Sequence, residues 1–156
     1  MGEPVRRHPV RATPCGPKGT VQVRYTLKRV ASQVRAVREA LSGLAKERKF
    51  SPQAVREVTL ALGEALDNAL EYGCPKGGTV QVTLALDEGS IRVTVEDPGG
   101  CEPALDTKSF NAQSATVSGA DSVRGRGLYL IRTVMDAVEI ISLPGGGTRV
   151  VMTKHR

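Results

Sequence analysis

The sequence from Ser51 to Gly73 predicts one long helix, and the rest of the chain must pack around it. Ser51 can accept a hydrogen bond from a backbone N–H at a helix start, and Pro52 fits a first turn, where no N–H is needed. Gly73 can take the left-handed conformation that ends many helices, and Pro75 blocks any continuation. Between these ends, apolar residues recur at the helical period and predict a buried stripe of Val55, Val58, Leu62, Ala65, Leu66 and Ala69.

Glu64 and Asn68 lie away from that stripe, four residues apart and therefore on one face of the predicted helix. A carboxylate and an amide oxygen one turn apart can serve as a base and as a magnesium ligand, because magnesium prefers hard oxygen donors. The same two residues can equally be solvated surface groups on an amphipathic helix. The pair alone does not decide between these interpretations.

The remaining periodic segments predict five strands and two further helices, in the order β, α, α, β, β, loop, α, β, β. Short turns join the strands of each hairpin, which implies mainly antiparallel pairing, and alternating strands imply a sheet covered on one face. We therefore predict an α+β fold of two layers, with three helices on one face of a five-stranded sheet. The other face faces solvent or a partner and carries Gln81, Thr83, Arg92, Thr94 and Arg149.

Charge and composition divide the chain into a tail, residues 1–19, and one domain, residues 20–156. The tail has four basic residues against one acid, which is half of the net charge of +6, and four prolines, so we expect it to be disordered. The chain has no Trp, two Phe and three Tyr, too few for a conventional binder of single-stranded nucleic acid. No segment has the apolar length that spans a membrane. A basic tail can still touch nucleic acid.

Three widely spaced cysteines, with no Cys-x-x-Cys pair, favour neither a disulfide framework nor a zinc site. The two histidines lie near opposite ends of the chain, so the sequence does not indicate a Cys–His or Ser–His–Asp catalytic group. Reduced thiols in a cytoplasmic protein are the simplest interpretation.

Residues 98–124 form a long loop rich in small and polar residues, in which neither period is sustained. Such a loop can close over a ligand as a lid, or it can be disordered. Gly125-Arg126-Gly127 then opens a helix, where glycines permit close approach and N–H groups attract phosphate. Before the loop, Asp97 can accept a hydrogen bond from an amino group such as that of adenine, or it can simply form a turn.

The order of these motifs resembles the GHKL ATPase superfamily, whose fold is shared by histidine kinases, gyrase-type topoisomerases, a class of heat-shock chaperones and a class of mismatch-repair proteins. The motifs are Glu-x-x-x-Asn on a helix, Asp-x-Gly after a hairpin, a lid, Gly-x-Gly-Leu, and Gly-Thr before a last strand. The resemblance covers about residues 20–154, and its most specific pieces are GEALDNALEYG and RGRGLYLI. The chain is most similar to the stand-alone anti-sigma factor serine/threonine kinases, because it carries no separate dimerisation helix with a phosphoacceptor histidine.

The resemblance implies a role for each matching residue, with ATP and Mg²⁺ as cofactors. Glu64 matches the general base that activates the attacking hydroxyl, and Asn68 matches the ligand that ties magnesium to the triphosphate. Asp97 matches the aspartate that binds adenine, and Gly99 the glycine that gives the base room. Thr148 matches a threonine that orders the adenine end through water.

The phosphate end of the nucleotide is implied to lie at the Gly-x-Gly-Leu motif, formed here by Gly125, Gly127 and Leu128. Arg126 is our own addition as a phosphate contact, on the grounds of its charge and location. The chain departs from the family at its aspartate turn, which often reads Asp-x-Gly-x-Gly. Here Gly100 follows Gly99 directly, which affects how adenine would pack.

The function that the resemblance implies is an ATP- and magnesium-dependent protein serine/threonine kinase with two partners. It would sequester a sigma factor and phosphorylate a Ser or Thr of an anti-anti-sigma (STAS-type) protein, as a cytoplasmic homodimer that regulates transcription by partner switching. The alternative is a binding module that switches partners with ATP but transfers no phosphate. A nucleic-acid-associated regulator that uses its basic tail is a further alternative.

Overall fold

A computed structural model describes residues 19–100 and 123–156. The predicted tail, apart from Gly19, lies outside the described residues, as does most of the predicted lid. The helices are α1 (Ala31–Glu47), α2 (Pro52–Tyr72) and α3 (Val123–Val134). The strands are β1 (Val21–Leu27), β2 (Val80–Leu86), β3 (Ser90–Asp97), β4 (Ala137–Ser142) and β5 (Thr148–His155).

The five strands form one antiparallel sheet in the order β1-β2-β3-β5-β4. Helix α1 packs on β1 and β2, α2 packs on β2, β3 and β5, and α3 packs on α2 and β4. Every second residue of β2 is fully buried against this helical layer, while the residues between them are half-buried. The α+β prediction of three helices on one face of a five-stranded sheet is confirmed. Within the part of the chain that the structure describes, no helix is long and apolar enough to cross a membrane.

Helix α2 has the predicted bounds and the predicted buried stripe. Its start is held as expected, since Ser51 Oγ accepts a hydrogen bond from the Ala54 N–H at 3.1 Å. Its end is different. Gly73 has φ −103° and ψ −8°, which is right-handed, so the predicted left-handed conformation is wrong. Glycine is required there for another reason, because a Cβ atom at Gly73 would overlap the carboxyl group of Asp97.

Two other boundaries differ from the predictions. Helix α3 begins at Val123, so Gly125 and Gly127 lie within its first turns and do not open it. The apolar residues after Thr148 predict a last strand that ends at Met152, whereas β5 continues to His155. Tertiary contacts hold this extension, since the His155 N–H donates to Asp136 Oδ2 at 2.6 Å and β5 pairs with β3 along its whole length.

A group of charges ties the far end of α3 to α2 and β5. Lys154 Nζ lies 2.5 Å from Glu57 Oε2 and 3.5 Å from Asp136 Oδ1, and it donates to the Val134 carbonyl at 2.8 Å. The hydrogen bond from Lys154 lowers the pKa of Glu57, and the hydrogen bond from the His155 N–H lowers the pKa of Asp136. Burial lowers the pKa of Lys154, but the two carboxylates outweigh it and the pKa is raised.

Replacing Lys154 with Met should reduce the free energy of unfolding and should also reduce how much this free energy falls in acid. The carboxylates stabilise the fold above their ordinary pKa values of 4.5 and 3.8, and this stability is lost as pH falls through the lowered values. The interactions that raise the pKa of Lys154 stabilise the fold below its ordinary pKa of 10.5. This stability is lost as pH rises through the raised pKa. We expect Lys154→Met to lower the free energy of unfolding by about 1 kcal/mol at neutral pH.

Urea unfolding from neutral pH to about pH 3 checks this expectation. The difference in free energy of unfolding between wild type and Lys154→Met should become smaller in acid, because protonated carboxyl groups are no longer attracted to the lysine. Exposed Lys46 provides the matched control as Lys46→Met. A gap that stays constant with pH would show that Lys154 stabilises by packing alone.

Candidate functional site

Residues from four of the predicted motifs line one small cavity between α2, α3 and the sheet. Asn68, Asp97, Leu128 and Thr148 contribute to its wall. The rest of the wall is small or branched and consists of Ala65, Ala69, Val95 and Val150. These residues come from α2, β3, α3 and β5, so the fold brings together motifs that are distant in the sequence.

Asp97 is the last residue of β3 and lies at the inner end of this cavity. It is 8% exposed and is paired in the sheet with Thr148, the first residue of β5. Its Oδ1 accepts a hydrogen bond from the Gly99 N–H at 3.0 Å, and the same N–H donates to the Gly73 carbonyl at 2.7 Å. The carboxylate is therefore held in one orientation by the turn that follows it.

Three glycines close tightly around the Asp97 turn. Gly99 has φ +74°, a conformation that side chains rarely adopt, and a Cβ atom there would overlap the Gly146 carbonyl. A Cβ atom at Gly147 would overlap the Asp97 carbonyl oxygen, and one at Gly73 would overlap the Asp97 carboxyl. For Gly99 the family resemblance implies only that it gives the base room. The sequence did not indicate these contacts for Gly73, which was expected to end a helix, or for Gly147, because local patterns carry no signal of long-range contacts.

A second cluster lies at the other end of the cavity, where Gly127 of α3 contacts Glu64 and Asn68 of α2. A Cβ atom at Gly127 would lie 2.9 Å from Glu64 Oε2 and 3.2 Å from Asn68 Nδ2. Gly127 is buried, while Glu64 and Asn68 are half-buried. The predicted base, the predicted metal ligand and a predicted phosphate glycine are therefore neighbours. Asn68 belongs to both clusters.

The side-chain nitrogen of Asn68 is buried and has no hydrogen-bond partner among the described residues. An unsatisfied buried amide costs about 1–3 kcal/mol, so a ligand that contacts it recovers this energy. Rotation of the amide by half a turn brings its oxygen to the same place. The residue therefore fits either a phosphate oxygen or a metal ion.

The described residues contain no group of three or more His, Cys, Asp or Glu that could hold a metal ion. A magnesium ion at this site would be held by Asn68 together with phosphate oxygens and water. Magnesium usually keeps several waters and binds through one or two protein groups plus the phosphates of a substrate. The donor set around Asn68 thus fits magnesium bound with a nucleotide.

The cavity has a volume of only about 20 Å³, which is room for about one water molecule. A purine base can enter only if the surrounding elements move apart. Ala65 and Ala69 leave the cavity open on the α2 side because their side chains are small, and Leu128 of α3 forms part of the opposite wall. The Asp97 side is fixed by the sheet, so α3 is the element that can give way.

The remaining predicted residues lie near this site, on α3. Gly125 lies in the first turn of the helix, and Arg126 follows it and is exposed. Tyr72 is half-buried at the end of α2.

A larger groove, with a volume of about 540 Å³, runs between α1 and α2. Its wall carries Arg35 and Arg38 with several polar and acidic residues, among them Glu39, Ser42, Thr59 and Asp67. The Arg38 guanidinium lies against Gly63, where a Cβ atom would be 3.4 Å from Nε. Arg38 therefore packs on the face of α2 that carries Thr59, Gly63 and Asp67.

A five-stranded antiparallel sheet under three helices, with a small cavity between the layers and a Glu–Asn pair on the helix that lines it, is the architecture of an ATPase domain of the histidine kinase type. Residues 27–154 match the family described as the histidine kinase-like ATPase domain. The chain belongs to this family.

Among curated proteins, the chain is similar to those named serine-protein kinase RsbW. It is 26% identical to the protein from Halalkalibacterium halodurans over 137 residues, which are 85% of this chain and 82% of that protein. It is 32% identical to the protein from Listeria monocytogenes serovar 1/2a over 124 residues, 76% of each. The resemblance to this class of kinase that the sequence motifs indicated is confirmed.

Two solved structures share the fold. One contains the RsbU and RsbW domains of a Mycobacterium tuberculosis protein, with a TM-score of 0.61 and 21% identity over 90% of this chain and 34% of that one. The other is the SiaB–SiaC complex from Pseudomonas aeruginosa, with a TM-score of 0.60 and 15% identity over 86% of this chain and 89% of that one.

Substitution of Gly73 tests the close contact between α2 and Asp97. Gly73→Ala should lower the free energy of unfolding by about 2 kcal/mol, because the new methyl group overlaps the Asp97 carboxyl. The backbone at Gly73 suits alanine, so the cost comes from the overlap alone. In an Asp97→Ala background, where the overlapping atoms are gone, the same substitution should cost nothing.

Chemical unfolding of the two single variants and the double variant measures this coupling. Gly43→Ala is the matched control, since Gly43 lies in α1 with open space where the new methyl group would be, and it should gain about 0.5–1 kcal/mol. An equal cost of Gly73→Ala in both backgrounds would contradict the contact.

Proposed function

We propose that this protein is an ATP- and magnesium-dependent serine/threonine kinase of the anti-sigma factor type. It sequesters a sigma factor and phosphorylates a Ser or Thr of an anti-anti-sigma partner. The observation that supports this most strongly is the junction of Glu64, Asn68 and Gly127, because a base, a metal ligand and a backbone phosphate site then meet at one point. The similarity to proteins named serine-protein kinase points the same way.

The nucleotide lies, in this proposal, across the cavity from the sheet to α3. Asp97 accepts a hydrogen bond from the adenine amino group, and Gly99 leaves room for the base. Thr148 orders the same end through water, and Leu128 covers the base from α3. The three glycines around Asp97 support this arrangement, since they hold its carboxylate towards the cavity.

The triphosphate lies at the junction of α2 and α3. The free N–H groups of the first turn of α3, which contains Gly125, bind phosphate oxygens. Gly127 allows the close approach of α2, and Arg126 adds a positive charge. Asn68 holds the magnesium ion, which neutralises charge on the phosphates when it is bound. The buried Asn68 amide supports this assignment, because it has a polar atom to satisfy.

Glu64 acts as the base for transfer. It accepts the proton of the substrate hydroxyl as that oxygen bonds to the terminal phosphorus of ATP, and the bond from this phosphorus to the ADP oxygen breaks. The products are a phosphoserine or phosphothreonine and ADP. The half-buried position of Glu64 supports this role, because a hydroxyl from another protein can approach it from solvent.

The partner protein docks, in this proposal, at the groove between α1 and α2. The α2 wall of the groove carries Thr59 and Asp67, which lie on either side of Glu64 in the sequence, and the groove is large enough for side chains of a protein loop. Arg38 then contacts the docked segment. The homodimer that the family resemblance implies is also part of the proposal, and light scattering at micromolar concentrations checks it.

Two substitutions at the junction separate nucleotide binding from transfer. Glu64→Gln keeps the shape of the side chain but removes the base, so it should retain ATP binding and lose phosphorylation by about 10²–10⁴-fold. Asn68→Ala should lose the magnesium-dependent part of ATP binding. Calorimetric titration of ATP with and without magnesium measures binding, and phosphate transfer to an anti-anti-sigma protein from the same genome measures activity.

Exposed Glu47 at the end of α1 provides the control as Glu47→Gln, which should change neither quantity. ATP binding by wild type without any transfer would instead support the non-catalytic switching module. Transfer at the wild-type rate in Glu64→Gln would refute the assignment of the base.

Arg38→Ala tests the docking groove. It should weaken transfer to the partner about tenfold or more, because an arginine beside the docked segment is the type of residue that dominates interfaces. ATP binding should be unchanged. Arg92→Ala, an equal loss of charge on the open face of the sheet, is the control. If both variants lose transfer equally, the groove is not the docking site and net charge alone drives association.

A further inference from the structure

A second large cavity lies away from the candidate site, between the start of α1 and the end of α2. Its volume is about 600 Å³, within the range of roughly 300–1,000 Å³ that pockets for small organic ligands usually have. The residues just before α1 form one wall. The last turn of α2 and the turn that leads into β2 form the other.

The floor of this cavity is apolar. Leu70 and Cys74 are 5% and 7% exposed, and Val30 and Pro75 extend the same surface. The floor is also held in place. Cys74 Sγ contacts the Pro75 carbonyl, and a Cβ atom at Gly78 would lie only 2.7 Å from this sulfur. An apolar ligand body would therefore meet a preformed surface.

The rim of the cavity is positively charged. Lys28, Arg29 and Lys76 line it, against a single carboxylate from Glu71. Helix α1 starts beside the cavity with no acidic residue in its first turn, so its dipole adds positive potential. The negative end of the α2 dipole offsets that contribution, so the side-chain charges determine that the potential at the rim is positive. The apolar floor and cationic rim together suit an organic anion.

We propose that this cavity is a binding site for a small organic anion. The ligand would have an aromatic or branched aliphatic body, which packs on Leu70 and Val30, and a carboxylate, sulfonate or phosphate group, which meets the cationic rim.

The site is positioned to influence Asp97. Leu70 and Cys74 flank Gly73, whose carbonyl accepts the Gly99 N–H and whose backbone lies directly against the Asp97 carboxyl. An anion that holds the end of α2 therefore changes the free energy of any ligand bound at Asp97, and by reciprocity that ligand changes the affinity for the anion. This part of the inference rests on the proposed nucleotide site.

The test uses two dyes with similar aromatic bodies, one charged and one neutral. Anilinonaphthalene sulfonate carries an anionic group, and phenylnaphthylamine does not. Fluorescence titration of wild type without nucleotide should show about tenfold tighter binding of the sulfonate. Equal affinities for the two dyes would overturn the proposal.

Val30 offers a matched pair of variants that bear on this cavity alone. It is the N-cap of α1, with extended backbone and no capping hydrogen bond from its side chain, so Asn or Asp there should both support the helix. Val30→Asp places a carboxylate in the wall and should weaken the sulfonate about tenfold, while Val30→Asn should bind it nearly as wild type does. Unfolding curves confirm that both variants are folded. If Val30→Asp binds the sulfonate as tightly as wild type, the dye binds elsewhere and the proposal fails.

The coupling is tested by titrating ATP with and without saturating sulfonate dye. We expect the affinity for ATP to change by about fivefold or more, and the change to vanish in Val30→Asp. An unchanged affinity would refute the coupling. If the protein binds no ATP, the proposed kinase function fails, but the dye titrations still decide whether the anion site exists.

Discussion

The contact between Gly73 and Asp97 is the constraint on which the rest of the site depends. It brings the backbone at the end of α2 directly against the Asp97 carboxyl at the end of β3. The Gly99 N–H completes the contact by donating to both residues. Because α2 is a rigid helix, fixing its end to the sheet also fixes the positions of Glu64 and Asn68, which precede Gly73 in the same helix. Positioning through a helix is more precise than positioning through a loop.

Helix α2 packs into the core with one face and carries residues of the candidate site on another. One face is an unbroken apolar stripe that packs on the sheet and provides much of the core. The face beside α3 carries Glu64 and Asn68 and meets Gly127. Small residues allow this arrangement, since Ala65 and Ala69 separate the two faces and keep the cavity between them open. A larger residue at either position would fill the cavity from the α2 side.

Much of this architecture could be predicted from the sequence, because it depends on local patterns. Helical periodicity and the Ser51 cap gave the bounds of α2, and alternation gave the strands and the buried face of the sheet. The errors lie where distant contacts decide. Gly73 was predicted to be left-handed because glycine commonly ends helices that way, whereas here the carboxyl of Asp97 excludes a side chain. Strand β5 was predicted too short, because pairing with β3 extends it beyond its apolar residues. The site residues were found through the order of their motifs, and their roles stay predictions.

The two ends of the site differ in how firmly they are held, and this difference determines how a ligand can enter. The Asp97 end is part of the sheet, and three glycines pack so closely around it that a Cβ atom at any of them would overlap a neighbouring group. The Gly127 end belongs to α3, which is joined to α2 by close packing at its start and by Lys154 at its far end. A cavity with room for about one water must expand to take a nucleotide, and expansion at the sheet would break strand pairing. Movement of α3 about its far end breaks fewer bonds, and it opens the cavity beside the buried Asn68 amide, where a polar ligand recovers the cost of an unsatisfied group.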